Sequence, residues 1–233
     1  MSKADIQKIY DQEAATYDGR YQKPIHLVED AIMGKLIRSA LWPEFPFQFQ
    51  NIVDVGCGTG HVIQLADIAP HTYRGIDISD ASIKEAQRKF PNHSFQAADI
   101  MDLNPKKKCD LMLFIYGQVN YLGLDNFIQL LNRWLKVNKD TSEYMAVLYC
   151  GNGHEDYGYS TEHQNYYTPD QIRETMDEGG YYPWINGFSF YDCGDDVEKQ
   201  LGATLHRRIN DGDEYSCKYL IVSNMDMLDN GKY

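Results

Sequence analysis

Apolar residues in the first forty positions recur with the spacing of an α-helix. Residues 3–17 and 25–42 both follow this period. The second segment places five apolar residues on one face: Ile25, Val28, Ile32, Leu36 and Ile37. The next segment, WPEFPFQFQ at 42–50, contains two prolines and is typical of a connection. The chain is therefore predicted to open with two helices.

From residue 51 onward, short apolar runs alternate with amphipathic segments. The runs predicted as strands are 52–55, 73–77, HSFQ leading into AADI at 97–100, 109–116 and 143–150. Helices are predicted from about Thr59, after Ser79 as N-cap, from Asp125, and after Thr168 as N-cap with Pro169 first and Gly179-Gly180 as the stop. This alternation predicts an α/β fold with a doubly wound, mostly parallel sheet.

The last third of the chain has a different pattern. The runs WINGFSFYD, ATLHRRI and YSCKYLIVSNM fit short strands joined by turns such as Asn210-Asp211-Gly212. The pattern leaves the register of these strands open.

Charge and composition narrow the function classes. Asp and Glu number 34 against 22 Lys and Arg, a net charge of −12, which disfavours nucleic-acid binding. No apolar run is long enough to span a membrane, and the polar N-terminus is unlike a signal peptide. Five cysteines without framework or zinc spacing suit a reduced, cytoplasmic protein that holds no metal. The 18 tyrosines are unusual, and their rings suit the wall of a binding pocket.

Three glycines in the stretch NIVDVGCGTG, residues 51–60, follow directly on the first predicted strand. Glycine is favoured where the backbone takes positive φ or where a ligand approaches closely. A P-loop would need a Lys-Ser or Lys-Thr pair here, and the dinucleotide fingerprint would need a third glycine where His61 stands. The sequence fits neither.

The pattern present, DxGxGxG, instead resembles the first motif of the class I S-adenosylmethionine-dependent methyltransferases. That resemblance implies a seven-stranded Rossmann-like methyltransferase fold, with N-terminal helices covering S-adenosylmethionine. GIDIS resembles the second motif of the family, so Asp77 is expected to bind the ribose hydroxyls, and Asp99 in AADI the adenine amino group. Ile78 and Ile100 are expected to sandwich the adenine ring. The implied cofactor-binding set is Tyr17, Asp54, Gly56, Cys57, Gly58, Gly60, Asp77, Ile78, Asp99, Ile100, Ile115 and Tyr116.

Three further segments bear on the methyl acceptor. FIYGQVNYLG lacks the proline-rich tetrapeptide of nucleic-acid base methyltransferases and resembles the corresponding segment of small-molecule, amine-type N-methyltransferases. AATYDGRY at 14–21 and QNYYTPDQI also resemble segments of those enzymes. The resemblance implies catalytic roles for Tyr17, Tyr121 and His163, and an acceptor pocket lined by Tyr21, His154, Tyr166 and Tyr167.

The sequence thus predicts one methyltransferase domain over 1–233. Its parts are a helical cap at 1–45, a cofactor-binding core at 51–150, an acceptor loop at 151–169 and a C-terminal helix with strands at 170–233. The leading hypothesis is methyl transfer to a small-molecule amine positioned by tyrosines. The alternatives are a small-molecule O-methyltransferase with His163 or His154 as base, a protein or tRNA methyltransferase, and a non-catalytic cofactor-binding subunit. The sequence leaves open whether the protein forms a homodimer.

Overall fold

One mixed sheet organises the fold. The computed structural model describes residues 3–20, 22–41, 49–135, 143–150, 165–189, 205–209 and 219–224. The strands are β1 (Ile52–Val55), β2 (Tyr73–Asp77), β3 (Ser94–Ala97), β4 (Leu111–Phe114), β5 (Glu143–Tyr149), β6 (Trp184–Ser189), β7 (Leu205–Arg208) and β8 (Tyr219–Ser223). They lie in the order β3-β2-β1-β4-β5-β8-β6-β7.

Strands β1 to β5 pair in parallel, and β8 inserts antiparallel between β5 and β6. This confirms the predicted doubly wound, mostly parallel sheet. The short β7 pairs antiparallel with β6 and adds an eighth strand at the edge.

The helices are α1 (Lys3–Glu13), α2 (Tyr17–Arg20), α3 (Pro24–Leu41), α4 (His61–Ala66), α5 (Asp80–Lys89), α6 (Gln118–Leu122), α7 (Leu124–Trp134) and α8 (Pro169–Glu178), with a 3₁₀ turn at Ile100–Asp102. The helix predicted over 3–17 is divided in two. Both the N–H and the hydroxyl of Thr16 donate to the carbonyl of Glu13, which closes a tight turn after α1. The sequence pattern also missed α6, which begins after Gly117 and positions Tyr121.

The predicted start and end of α8 are confirmed. Thr168 caps α8 in a capping box with Gln171, Pro169 is the first residue, and Gly179 is the C-cap. Helix α4 begins at His61, two residues later than predicted, because Gly58 and Gly60 both take positive φ.

Two apolar layers bury the sheet. Helices α3 and α4 cover one face, and α7 and α8 cover the other. Helix α7 contributes five buried residues to the second layer, spaced so that they share one face of the helix: Leu124, Phe127, Leu130, Leu131 and Trp134. Among the described residues, no helix has both the length and the apolar character needed to cross a membrane.

Candidate active site

A cavity of about 840 Å³ lies at the carboxyl ends of the central parallel strands, beside α1, α2 and the start of α3. Its wall follows the order of the strands across the sheet. Asp99 lies beyond β3, Asp77 ends β2, the glycine turn follows β1, Tyr116 follows β4, and Tyr149 ends β5. Such a cavity can hold one elongated ligand, or two ligands end to end.

The glycine turn and Asp77 form the centre of this wall. Gly56, Gly58 and Gly60 have φ values of 69°, 51° and 85°. The amide of Gly58 donates to one carboxylate oxygen of Asp77 at 2.8 Å, and the amide of Ser79 donates to the other at 2.8 Å. Burial raises the pKa of Asp77, and these two amides act against that rise. A carboxylate has about four acceptor positions, and the amide of Ile78 also acts on this one, so at least one position stays open to a ligand hydroxyl.

Asp99 marks one end of the cavity. Its carboxylate accepts a hydrogen bond from the amide of Met101 at 2.8 Å and pairs with the ammonium of Lys3 on α1. Ile78 and Ile100 line the cavity nearby. The structure therefore brings together the three residues that the sequence assigned to the adenine end.

Asp54, the first residue of the DxGxGxG motif, has a buried side chain. It is 1% exposed and accepts a 2.6 Å hydrogen bond from the hydroxyl of Tyr73. Burial raises its pKa to about 7, although the bond from Tyr73 acts in the opposite direction. Cys57 is also buried, and burial raises the pKa of its thiol. The side chain of Asp54 thus joins β1 to the start of β2 through Tyr73.

The N-terminal helices are tied to the cofactor motifs by carboxylates that the sequence analysis missed. Asp18 of α2 accepts hydrogen bonds from Thr59 in the glycine turn at 2.6 Å and from Lys89 of α5 at 2.7 Å. Asp11 of α1 accepts from the hydroxyl of Ser79 at 2.7 Å and from the amide of Ala81 at 3.1 Å. The second pair places a carboxylate at the start of α5, where the helix dipole favours an anion.

Three tyrosines, one each from α1, α2 and α6, line the cavity close to one another. The hydroxyls of Tyr10 and Tyr121 lie 3.1 Å apart, and the rings of Tyr10 and Tyr17 are 6.1 Å apart between centroids. The structure thus brings together the predicted Tyr17 and Tyr121 through Tyr10. Tyr10 was missed, although its spacing of seven residues from Tyr17 matches two helical turns.

A second group joins the predicted Tyr116 to two residues that were not predicted for the site, Asp30 and His61. One carboxylate oxygen of Asp30 lies 2.8 Å from Nε2 of His61 and accepts a 2.7 Å hydrogen bond from the hydroxyl of Tyr116. Tyr116 has a φ of 56°, a conformation that is uncommon outside glycine and that clusters at functional sites. His61 was noticed only as the residue that breaks the dinucleotide fingerprint.

The remaining predicted residues divide into two sets. Tyr21, His154 and His163 lie outside the described residues. Tyr166 and Tyr167 are described, but neither is among the residues that line the cavity. Asn120, which is fully buried, holds the segment before them by donating to the carbonyl of Asn165 at 2.6 Å. The predicted roles of Ile115 and Tyr116 are compatible with their position, since both line the cavity.

Parts of the chain are similar in sequence to known methyltransferases. Residues 52–140 match the family model of a methyltransferase domain. Over 64 residues the chain is 36% identical to trans-aconitate 2-methyltransferase of Methylobacterium nodulans, covering 27% of this chain and 25% of that protein. Over 137 residues it is 27% identical to malonyl-[acyl-carrier protein] O-methyltransferase 1 of Ilyobacter polytropus, covering 57% of this chain and 47% of that one. The chain thus spans a quarter to about half of these curated relatives.

Solved structures resemble the chain over nearly its whole length. A Thermotoga maritima methyltransferase described as a possible histamine N-methyltransferase superposes with a TM-score of 0.64 at 11% identity, covering 93% of this chain and 97% of that one. Magnesium protoporphyrin IX methyltransferase of Synechocystis, with bound S-adenosylhomocysteine, gives a TM-score of 0.63 at 14% identity, covering 95% and 98%. At these identities the likeness shows the fold. That fold is the predicted Rossmann-like methyltransferase fold.

Proposed function

We propose that the protein transfers a methyl group from S-adenosylmethionine to a small molecule, with an amine nitrogen as the acceptor. The observation that carries this proposal is the order of groups along the cavity wall. Asp99 lies at one end with Ile78 and Ile100. Asp77 and the open glycine turn lie in the middle, and the tyrosines, Asp30 and His61 lie beyond them. This order suits adenine, ribose, sulfonium and acceptor in turn.

The residues of the chain fit the cofactor at two points. Asp77 keeps at least one acceptor position for a ribose hydroxyl. At Gly58 an added Cβ would have no heavy atom within 4 Å, so a ligand can approach the backbone there. S-adenosylmethionine would supply an already activated methyl group. The protein's main contribution is therefore alignment of donor and acceptor in a site that excludes water.

The charge of the cavity favours an amine over an acid. Lys3, beside Asp99, is the only lysine or arginine among the described residues that line the cavity. Glu29 and Asp30 lie in the part beyond the glycine turn. An acceptor carboxylate, such as that of trans-aconitate, would meet these acids with no described lysine or arginine beside it. Tyrosine faces and carboxylates suit an ammonium group and its methylated product.

The proposal is tested with Asp77→Ala and with Asp170→Ala as the control. Asp170 is an exposed acid on α8, remote from the cavity. We expect S-adenosylhomocysteine, titrated by calorimetry, to bind the wild type and the control and to bind Asp77→Ala at least tenfold more weakly. Methyl-labelled S-adenosylmethionine should then label small amines with the wild type. Equal affinity in all three proteins would contradict the cofactor site. Label in protein or RNA would contradict the small-molecule acceptor.

A further inference from the structure

We propose that His61, held by Asp30, is the catalytic group that accepts a proton from the acceptor amine. This inference rests on the proposed function, since it assigns a role within the same cavity. His61 is the first residue of α4, directly after the glycine turn, and its side chain is 29% exposed. It therefore lies on the cavity wall between the turn and the part assigned to the acceptor.

The geometry fixes which nitrogen can act as a base. An ionised carboxylate only accepts hydrogen bonds, so Nε2 of His61 must carry the proton in its 2.8 Å contact with Asp30. In the neutral imidazole, Nδ1 then holds the lone pair. Within the described part of the chain, Nδ1 makes no hydrogen bond. The unprotonated nitrogen is thus available to a ligand.

Tyr116 holds Asp30 in place for this role. Its hydroxyl donates to the carboxylate oxygen of Asp30 that also contacts His61. Burial and the charge of Asp30 raise the pKa of Tyr116 well above its usual value, so Tyr116 stays a donor. The positive φ of Tyr116 directs its ring to this position, and its ring centroid lies 5.9 Å from that of His61. Asp30 can therefore both fix the tautomer of His61 and stabilise the imidazolium that forms.

Carboxylates face His61 from several elements, and the nearby ammonium of Lys89 is paired with Asp18. Asp30 lies on α3, Tyr116 follows β4, Asp18 lies on α2 and Asp54 on β1, and the last two also feel the charge of His61. Glu29 acts on Tyr116 from α3 and contacts His26. A protonated His61 is therefore compensated, and an ammonium substrate is attracted to the same region.

The proton balance of the step is simple. An amine acceptor arrives as an ammonium ion at neutral pH, and an ammonium ion has no lone pair. Its N–H bond breaks, the proton passes to Nδ1 of His61, and the lone pair that is released forms the new N–C bond. That bond replaces the S–C bond of the donor, whose electron pair stays on sulfur. His61 then returns its proton to water.

The first test requires no turnover. Nitrogen-15 NMR of the protein with S-adenosylhomocysteine should show neutral His61 protonated on Nε2, with the signal assigned by its loss in His61→Gln. In Asp30→Asn the preference for the Nε2–H tautomer should weaken, because the carboxylate that accepts this proton is gone. A neutral His61 protonated on Nδ1 would overturn the proposal, since that nitrogen could not accept a proton.

The second test uses a panel of primary and secondary amines and follows release of S-adenosylhomocysteine against pH. For His61→Gln we expect kcat at pH 7 to fall about 100-fold or more, with the dissociation constant for S-adenosylhomocysteine unchanged. The deficit should shrink as the pH nears the pKa of the amine, because the amine then arrives neutral. His71→Gln, an exposed histidine outside the cavity, is the matched control. A deficit that is constant with pH, or a loss of cofactor affinity, would overturn the role of His61. If the wild type methylates no amine, the proposed acceptor is wrong and this role of His61 falls with it. Amine methylation that His61→Gln leaves intact would overturn the role of His61 alone.

Discussion

The hydroxyl of Thr59, inside the glycine turn, donates a 2.6 Å hydrogen bond to the carboxylate of Asp18 on α2. The same carboxylate accepts from Lys89 on α5 at 2.7 Å. One side chain of the N-terminal segment therefore ties together the turn after β1 and the helix after β2. The N-terminal helices are thus part of the cavity wall. If the cavity holds the cofactor as proposed, their attachment should affect how tightly it is held.

Asp18→Asn should weaken this attachment. The substitution removes the charge that Lys89 pairs with, and Asp18 is 43% exposed, so the loss in free energy of unfolding should be about 1 kcal/mol or less. If the closed segment holds the cofactor, affinity for S-adenosylhomocysteine should fall by roughly fivefold for a loss of that size. Unfolding calorimetry measures the loss of stability. Titration calorimetry and stopped-flow dissociation measure the loss of affinity for S-adenosylhomocysteine. Asp80→Asn is the control, because it breaks an exposed pair with Lys84 on the same helix without touching α2. Equal affinity in the two variants would contradict a role for the segment.

Gly58→Ala tests whether a ligand approaches the glycine turn. Gly58 has a φ of 51°, so alanine should cost about 1–2 kcal/mol in free energy of unfolding. Apart from Gly58 and its two chain neighbours, no atom of the described residues lies within 4 Å of the added Cβ, so that methyl group points into open space. If the cofactor occupies that space, affinity for S-adenosylhomocysteine should fall about tenfold or more, equivalent to at least ~1.4 kcal/mol.

Gly180→Ala provides the matched control for this variant. Gly180 has a φ of 80° and also has no atom within 4 Å of an added Cβ, but it follows α8 and is outside the cavity. It should show a similar loss of stability, measured by urea unfolding, with unchanged affinity. A tenfold loss of affinity in both variants would mean that the effect at Gly58 is backbone strain alone.

Asp54 should make stability depend on pH. Burial raises its pKa to about 7 from a usual value of 3.8, so the folded protein favours the protonated form. The contribution of Asp54 to stability is therefore fully present below about pH 4 and is lost as the pH rises to about 7. Asn at this position keeps an acceptor for Tyr73 without the charge. The wild type should thus lose stability relative to Asp54→Asn across that range, by up to roughly 4 kcal/mol.

Urea unfolding at intervals from pH 4 to 8 measures this difference directly. Burial also raises the pKa of Glu143 to about 7, but that group is present in both proteins and cancels in the comparison. A difference in unfolding free energy that does not change with pH would contradict the raised pKa of Asp54.

The sequence predicted those parts of the site that depend on local pattern. Apolar runs located the strands, and the positive φ of Gly56, Gly58 and Gly60 follows the glycine spacing. Asp77 and Asp99 could be placed because parallel strands end at the same edge of the sheet. These positions depend on few residues, each close in sequence to a strand end.

The contacts that the sequence did not predict join residues far apart in the chain. Asp18 and Thr59 are separated by 41 positions, and Asp30 and Tyr116 by 86. No spacing rule relates such pairs, because the packing of α3 and α2 against the sheet determines them. His61 had a visible place in the glycine motif, but its partner Asp30 looks like any polar residue on an amphipathic helix.

The pair formed by Tyr10 and Tyr121 joins α1 to α6, and the free energy of this contact can be measured by a double-mutant cycle. Their hydroxyls are 3.1 Å apart and part-buried, so the bond should contribute about 1 kcal/mol to the free energy of unfolding. Tyr10→Phe and Tyr121→Phe should each lose that amount, and the double variant should lose little more than either one. Urea unfolding in the presence and absence of S-adenosylhomocysteine measures the coupling in both states. Tyr182→Phe, at a residue that is 77% exposed, should have no effect. Additive losses from the two substitutions would mean that the hydroxyls do not bond in solution. A coupling that grows when S-adenosylhomocysteine binds would place this pair among the contacts that close over the cofactor.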